Sequence, residues 1–120
     1  MRTAFDLVSE PGVELYGALL GLNGDVLAIG KDRRFPTLLQ RIAVILRDKH
    51  CVVPGCAAAH DRCEIHHLVE FLRGGKTVLA NLALLCPAHH HFLHNNHYEL
   101  RRGPTGYYVV DATGTTVIPP

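Results

Sequence analysis

All nine histidines and all four cysteines of this 120-residue chain fall between His50 and His97; none lies in the first 49 or the last 23 residues. A clustering this local points to metal. Two disulfides would account for the cysteines, but not for histidines interleaved with them at ligand spacings. The window between His50 and His97 is therefore where both the fold and the chemistry have to be sought.

Within it, Cys51 and Cys56 flank a Pro54-Gly55 turn, and Cys86 and His89 stand three apart where Pro87 opens a helix. Structural zinc takes four thiolate or imidazole ligands, often from two such short knuckles, because each brings two side chains to one point with a short loop to close. Cys51, Cys56, Cys86 and His89 are thus the candidate ligands of a structural zinc. Cys63 remains an alternative for any one of them.

A second constellation comprises His66, His67, Asn81, His90 and His94. His90 and His94 lie four apart on a predicted helix, so both imidazoles project from one face. A third ligand from the preceding strand would leave one position of a metal open to substrate. His66 and His67 are adjacent, and strand alternation points them to opposite faces. One of the two is therefore free for another task, and a neutral histidine near a cation suits a general base. His50, His60, His91 and His97 read as surface or packing residues.

The rest of the chain gives a frame. Asn23-Gly24 predicts a turn with a short strand over 26–29 behind it. Pro36 suits the first turn of a helix running to about Lys49, with Leu38, Leu39, Ile42, Ile45 and Leu46 inward and Gln40, Arg41, Arg47 and Asp48 outward. Strands are expected over 63–71 and 83–85, separated by a loop containing Gly74-Gly75. A helix is expected from Pro87 to Asn95-Asn96, then a hairpin around 103–106 and a short strand near Val117. Three segments follow: 1–30, a flank with short strands at the end of a larger domain; 31–97, a helix plus the zinc-braced module; and 98–120, a β-hairpin tail.

Charge limits the partners. The formal net charge is +1, so nucleic acid cannot be held by bulk charge, only by a local face. Residues 31–49 carry six basic and two acidic side chains, which makes either a solvated helix face or a surface for phosphates. No apolar run approaches the roughly 20 residues that span a bilayer. Asp6, Glu10 and Glu14 stand where a signal peptide would be apolar, so a cytoplasmic protein is expected.

Ile65-His66-His67-Leu68, Gly74-Gly75, Asn81-Leu82, Leu85-Cys86 and His89-His90 together resemble the HNH endonuclease motif, and more narrowly its zinc-knuckle subgroup. The lead-in Arg47-Asp48-Lys49-His50-Cys51 is similar to that of longer HNH proteins with an N-terminal domain. The resemblance covers about residues 31–97. It implies an α+β fold: a ββα-metal core braced by a structural zinc, with an N-terminal helix and flanking β-hairpins. It also implies that His67 is the general base, that Asn81 holds the loop and the orientation of His67, and that His66, His90 and His94 bind the catalytic metal. His89 departs from the commoner cysteine, and Cys63 is additional to the motif.

The activity so implied is metal-dependent hydrolysis of phosphodiester bonds in double-stranded DNA, leaving 5′-phosphate and 3′-hydroxyl ends. The alternative is a zinc-dependent nucleic-acid-binding module without cleavage, which would have no need of His67 and Asn81. Magnesium or manganese is typical of the family, whereas an all-histidine ligand set is softer and suits zinc, nickel or manganese. Arg73, Lys76, Arg41 and Arg47 are the candidate contacts to DNA. An N-terminal domain or a dimer partner is a further expectation.

Overall fold

Four consecutive residues, Leu82, Ala83, Leu84 and Leu85, are buried and form the strand on which the fold is built. The structure, a computed structural model, describes residues 31–120; the turn and strand expected within residues 1–30 lie outside the described residues. Its elements are helix α1 (Leu38–Asp48), strand β1 (Glu64–His67), strand β2 (Leu82–Leu85), helix α2 (Pro87–Asn96) and strands β3 (Glu99–Gly103), β4 (Gly106–Val110) and β5 (Thr116–Ile118). The architecture is α+β, with β1, β2 and α2 in ββα order.

An uninterrupted apolar strand needs cover on both faces, and β2 has it. Leu82 and Leu84 pack with Val44 of α1, together with Ile65 and Leu79. Ala83 and Leu85, on the opposite face, pack with Cys51, Cys86, Leu93, Leu100 and Val109. One strand thus joins α1 on one side to the knuckles, α2 and the β3–β4 hairpin on the other. Each fully buried leucine contributes roughly 1.5–3 kcal/mol.

β1 pairs antiparallel with β2, placing His66 opposite Ala83 and His67 opposite Leu82. The strand expected over 63–71 ends at His67. Asn81 takes the chain over from there: Leu68 N–H donates to Asn81 O at 2.8 Å, Val69 N–H donates to Asn81 Oδ1 at 2.8 Å, and Asn81 Nδ2 donates to the carbonyls of Val69 at 3.0 Å and Lys76 at 2.9 Å. Side-chain amide bonds replace the ladder, and two short 3-10 turns, Phe71–Arg73 and Leu79–Asn81, carry the loop back to β2. Gly75 is required at this point. A Cβ there would stand 1.8 Å from Val69 O and 2.9 Å from Asn81 Nδ2.

α1 starts later than Pro36 suggests, and its inward face keeps Ile45 and Leu46 but not Leu38 and Leu39. Thr37 is the N-cap, in a reciprocal capping box with Gln40, so Pro36 precedes the helix. Leu38 and Leu39 are exposed, whereas Gln40, Ala43, Val44 and Leu46 are buried. Gln40 is drawn in because its Nε2 donates to Thr77 O at 2.7 Å.

At its other end α1 enters a polar cluster. Asp48 accepts from Arg47 Nε at 2.8 Å, from Leu84 N–H at 3.1 Å and from the Tyr107 hydroxyl at 3.2 Å. Arg102 Nη2 donates to Tyr107 Oη at 2.7 Å, so the β3–β4 hairpin is tied to α1 as well as to the core. The expected hairpin and third strand form a three-stranded antiparallel sheet in the order β3-β4-β5.

Candidate metal centre and histidine pocket

Cys51 lies in a segment held against the sheet, for its N–H donates to Ala58 O at 2.9 Å and Val52 N–H donates to Leu84 O at 3.0 Å. The Pro54-Gly55 turn closes with Cys56 N–H donating to Val53 O at 3.0 Å. Gly55 has φ 87°, the left-handed value that glycine takes at the third position of such a turn. Cys86 is the N-cap of α2, Pro87 begins the helix, and His89 follows within its first turn.

These elements bring four ligand atoms together. The ligand atoms of Cys51, Cys56, Cys86 and His89 all lie within 4.8 Å of one another, and among the described residues they are the one group of three or more metal-binding side chains to do so. Cys86 Sγ stands 3.2 Å from His89 Nδ1, Cys51 Sγ stands 3.7 Å from the same nitrogen, and Cys56 and Cys86 sulfurs are 4.0 Å apart. Ligands at about 2.0–2.3 Å around a tetrahedral zinc would be separated by about these distances. The donor set fits a closed metal site through His89 Nδ1. Burial pushes the Cys51 thiol up to about 12, whereas the Ala58 backbone N–H lowers Cys56. Cys63 stands apart from the four: its Sγ contacts the carbonyls of Ala58 and Ala59, and burial raises its pKa to about 11, the environment of an inert thiol.

The second set of histidines meets in a pocket of about 410 Å³, whose lining includes Arg34, His66, His67, His90 and His94. Register puts His66 and His67 on opposite faces of β1, yet both reach this pocket because the strand ends there. His66 meets α2, with its ring 5.6 Å from that of His90. Burial lowers the His66 pKa to about 4, helped by His90 and His67, so its imidazole is neutral and able to ligate a metal near neutral pH. His90 Nδ1 lies 3.0 Å from Glu64 Oε2, and a histidine held at one nitrogen by a carboxylate presents the other. His66, His90 and His94 offer donor chemistry that suits a divalent cation, in a more open arrangement than the cysteine cluster.

His67 faces the α1 side. Its Nε2 lies 2.9 Å from Thr77 Oγ1, and its pKa is lowered by burial and then by the charge of Arg34. Thr77 is fully buried. Its hydroxyl donates to the carbonyl of Arg33, its N–H donates to Lys31 O at 2.9 Å, and its carbonyl accepts from Gln40.

The four basic candidates separate. Arg73 and Lys76 are exposed on the loop after β1, beside Glu70 at 3.6 Å and Asp32 at 2.8 Å. Arg41 is exposed on α1. Arg47 is engaged by Asp48 and by the carbonyls of Leu79 and Leu82. Glu64 and Thr77 escaped the sequence reading. Glu64 carried a signal, since it stands two residues before His66 on a strand and so shares its face; Thr77 carried none.

Residues 51–96 match the family model described as HNH endonuclease. Two uncharacterised proteins of Mycobacterium tuberculosis, MT1160 of strain CDC 1551 and Rv1128c of strain H37Rv, are each 33% identical over 67 residues, or 56% of this chain. The chain spans only 16% and 15% of their lengths. The type IV phosphorothioation-dependent restriction endonuclease ScoMcrA matches in structure over 68% of this chain and 21% of its own, with a TM-score of 0.49 and 24% identity. No helix among the described residues is long and apolar enough to cross a membrane. The family match is confined to residues 51–96.

Proposed function

We propose that residues 51–96 form an HNH module that acts as a metal-dependent endonuclease or nickase, hydrolysing phosphodiester bonds in double-stranded DNA. The observation that carries the reading is the division of the ligating side chains between two sites. One set, Cys51, Cys56, Cys86 and His89, is closed and serves as a structural zinc centre. The other, His66, His90 and His94, lines an accessible pocket with His67. A scaffold that only bound nucleic acid would need the first set alone.

His67 takes a proton from a water molecule whose oxygen attacks the phosphorus, and the bond from phosphorus to the 3′ oxygen breaks. The departing 3′ oxygen takes a proton from solvent, so the products are a 5′-phosphate and a 3′-hydroxyl. A divalent cation held by His66, His90 and His94 supplies, when bound, stabilisation of the charge that builds on the phosphate and the departing oxygen. Its softer imidazole ligands favour zinc, nickel or manganese over magnesium. Asn81 fixes the loop that follows the base, and Arg34 adds positive charge where a phosphate would enter.

Plasmid nicking across a series of divalent metals tests this. The parent should nick, and His67→Ala should retain zinc content and melting temperature while nicking falls by about 10²–10⁴, the usual contribution of a general base. Nicking by His67→Ala at the parental rate would place the base elsewhere. A parent that binds DNA but fails to cleave it under every metal in the series would make the module a zinc-braced binder.

A further inference from the structure

The bonds around Thr77 settle which nitrogen of His67 is free. Thr77 Oγ1 carries one proton. The Arg33 carbonyl beside it can only accept, so that proton points to Arg33. Toward His67 the same oxygen is left with lone pairs, and the contact of 2.9 Å between His67 Nε2 and Thr77 Oγ1 then requires the proton to sit on Nε2. A neutral imidazole with Nε2 protonated keeps its lone pair on Nδ1. No hydrogen bond within the described residues occupies Nδ1, and His67 lines the pocket.

From this geometry we infer that Thr77 is the positioning residue of the base: its hydroxyl fixes His67 as the Nε2–H tautomer, leaving Nδ1 as the atom that takes the proton from water. The inference rests on the nuclease reading only for the use to which Nδ1 is put. Thr77 is in turn held from three directions, by the carbonyl of Arg33, the carbonyl of Lys31 and the amide of Gln40. The base is therefore oriented by the strap 31–37 and the first turn of α1, which precede residues 51–96. A module trimmed to residues 51–96 would keep His67 but lose the acceptor that orients Thr77.

The test uses the whole zinc-loaded chain labelled with ¹⁵N-histidine. Long-range ¹H–¹⁵N correlation should show His67 protonated at Nε2, with that proton exchanging slowly with water. Thr77→Val keeps the size of the side chain and removes the hydroxyl. It should lose the protected proton and lower kcat for nicking about tenfold or more, with KM changed by no more than about twofold. Thr77→Ser should restore both. His67 protonated at Nδ1 in the parent, or Thr77→Val with the protected proton and kcat unchanged, overturns the inference. Should Thr77→Val lose its zinc or its cooperative melting, the parental spectrum decides alone, because it reports the tautomer without any substitution. A parent with the protected Nε2–H proton and no nicking under any metal upholds the hold of Thr77 on the imidazole and overturns the nuclease reading.

Discussion

Asp48→Ala should destabilise the chain more than any exposed charge change, and the structure gives the size. The Asp48 side chain is 3% exposed and that of Arg47 21%. Truncation strands Leu84 N–H beside the central strand and frees the Tyr107 hydroxyl. It also leaves the Arg47 guanidinium without its counter-charge. Removing one partner of a buried ion pair costs about 3–5 kcal/mol. Arg47 keeps the carbonyls of Leu79 and Leu82 and some water, so the lower end, about 3 kcal/mol, applies. For a domain of this size that is a fall in Tm on the order of 10–15 °C. Urea and thermal unfolding of the zinc-loaded chain measure it. The double change Arg47→Met with Asp48→Leu should recover part of the loss, since an apolar pair leaves no buried charge unpaired. A cost below about 1 kcal/mol for Asp48→Ala, or a double variant no more stable than the single, would refute the reasoning.

Four further outcomes rest on the same geometry. Strong chelation or Cys56→Ser should abolish cooperative unfolding, because a small metal-braced domain takes much of its folding free energy from the ion; calorimetry with zinc analysis checks it, and a variant that melts like the parent removes zinc from the scaffold. Gly75→Ala should open the loop after β1, since its Cβ meets the Val69 carbonyl, and faster amide exchange at Val69 with weaker nicking would show it. Arg73→Ala and Lys76→Ala should each reduce the slope of log affinity against log salt by about one unit, because their exposed ion pairs are weak and exchange readily for phosphate. Arg47→Ala should instead lower stability and leave that slope unchanged; a flattened slope at Arg41 and Arg47 alone would put the duplex over α1.

The legible parts of this chain are those whose partners are close in sequence. The Cys51–Cys56 and Cys86–His89 pairs, Pro87 at the start of α2 and the turn between β3 and β4 are local patterns, and the structure forms each where the pattern stands. The first turn of α1 departs from its pattern because apolar spacing favours Leu38 and Leu39, while a hydrogen bond to Thr77, 37 residues away, buries Gln40 instead. Asp48 is inward for the same reason, through Leu84 and Tyr107. The predicted strand over 63–71 is cut at His67 because Asn81 satisfies the backbone of Val69, and no periodicity reports a side-chain amide reaching across a loop.

The first turns of α2 carry both constellations. Cys86 and His89 turn toward the cysteine cluster, while His90 and His94 line the pocket. On the proposed reading, the structural ion would thus set the position of two of the side chains that hold the catalytic one. Any treatment that strips zinc should displace His90 and His94 along with the knuckles, and nicking should fail whether or not a second cation takes part in the chemistry. Loss of activity on chelation therefore reports the fold. His67 is different, being carried by β1 and held by Thr77 rather than by α2. Replacing it should remove the proposed proton acceptor and spare the cysteine cluster, which is why His67→Ala, and not metal removal, is the variant expected to separate catalysis from folding in this chain.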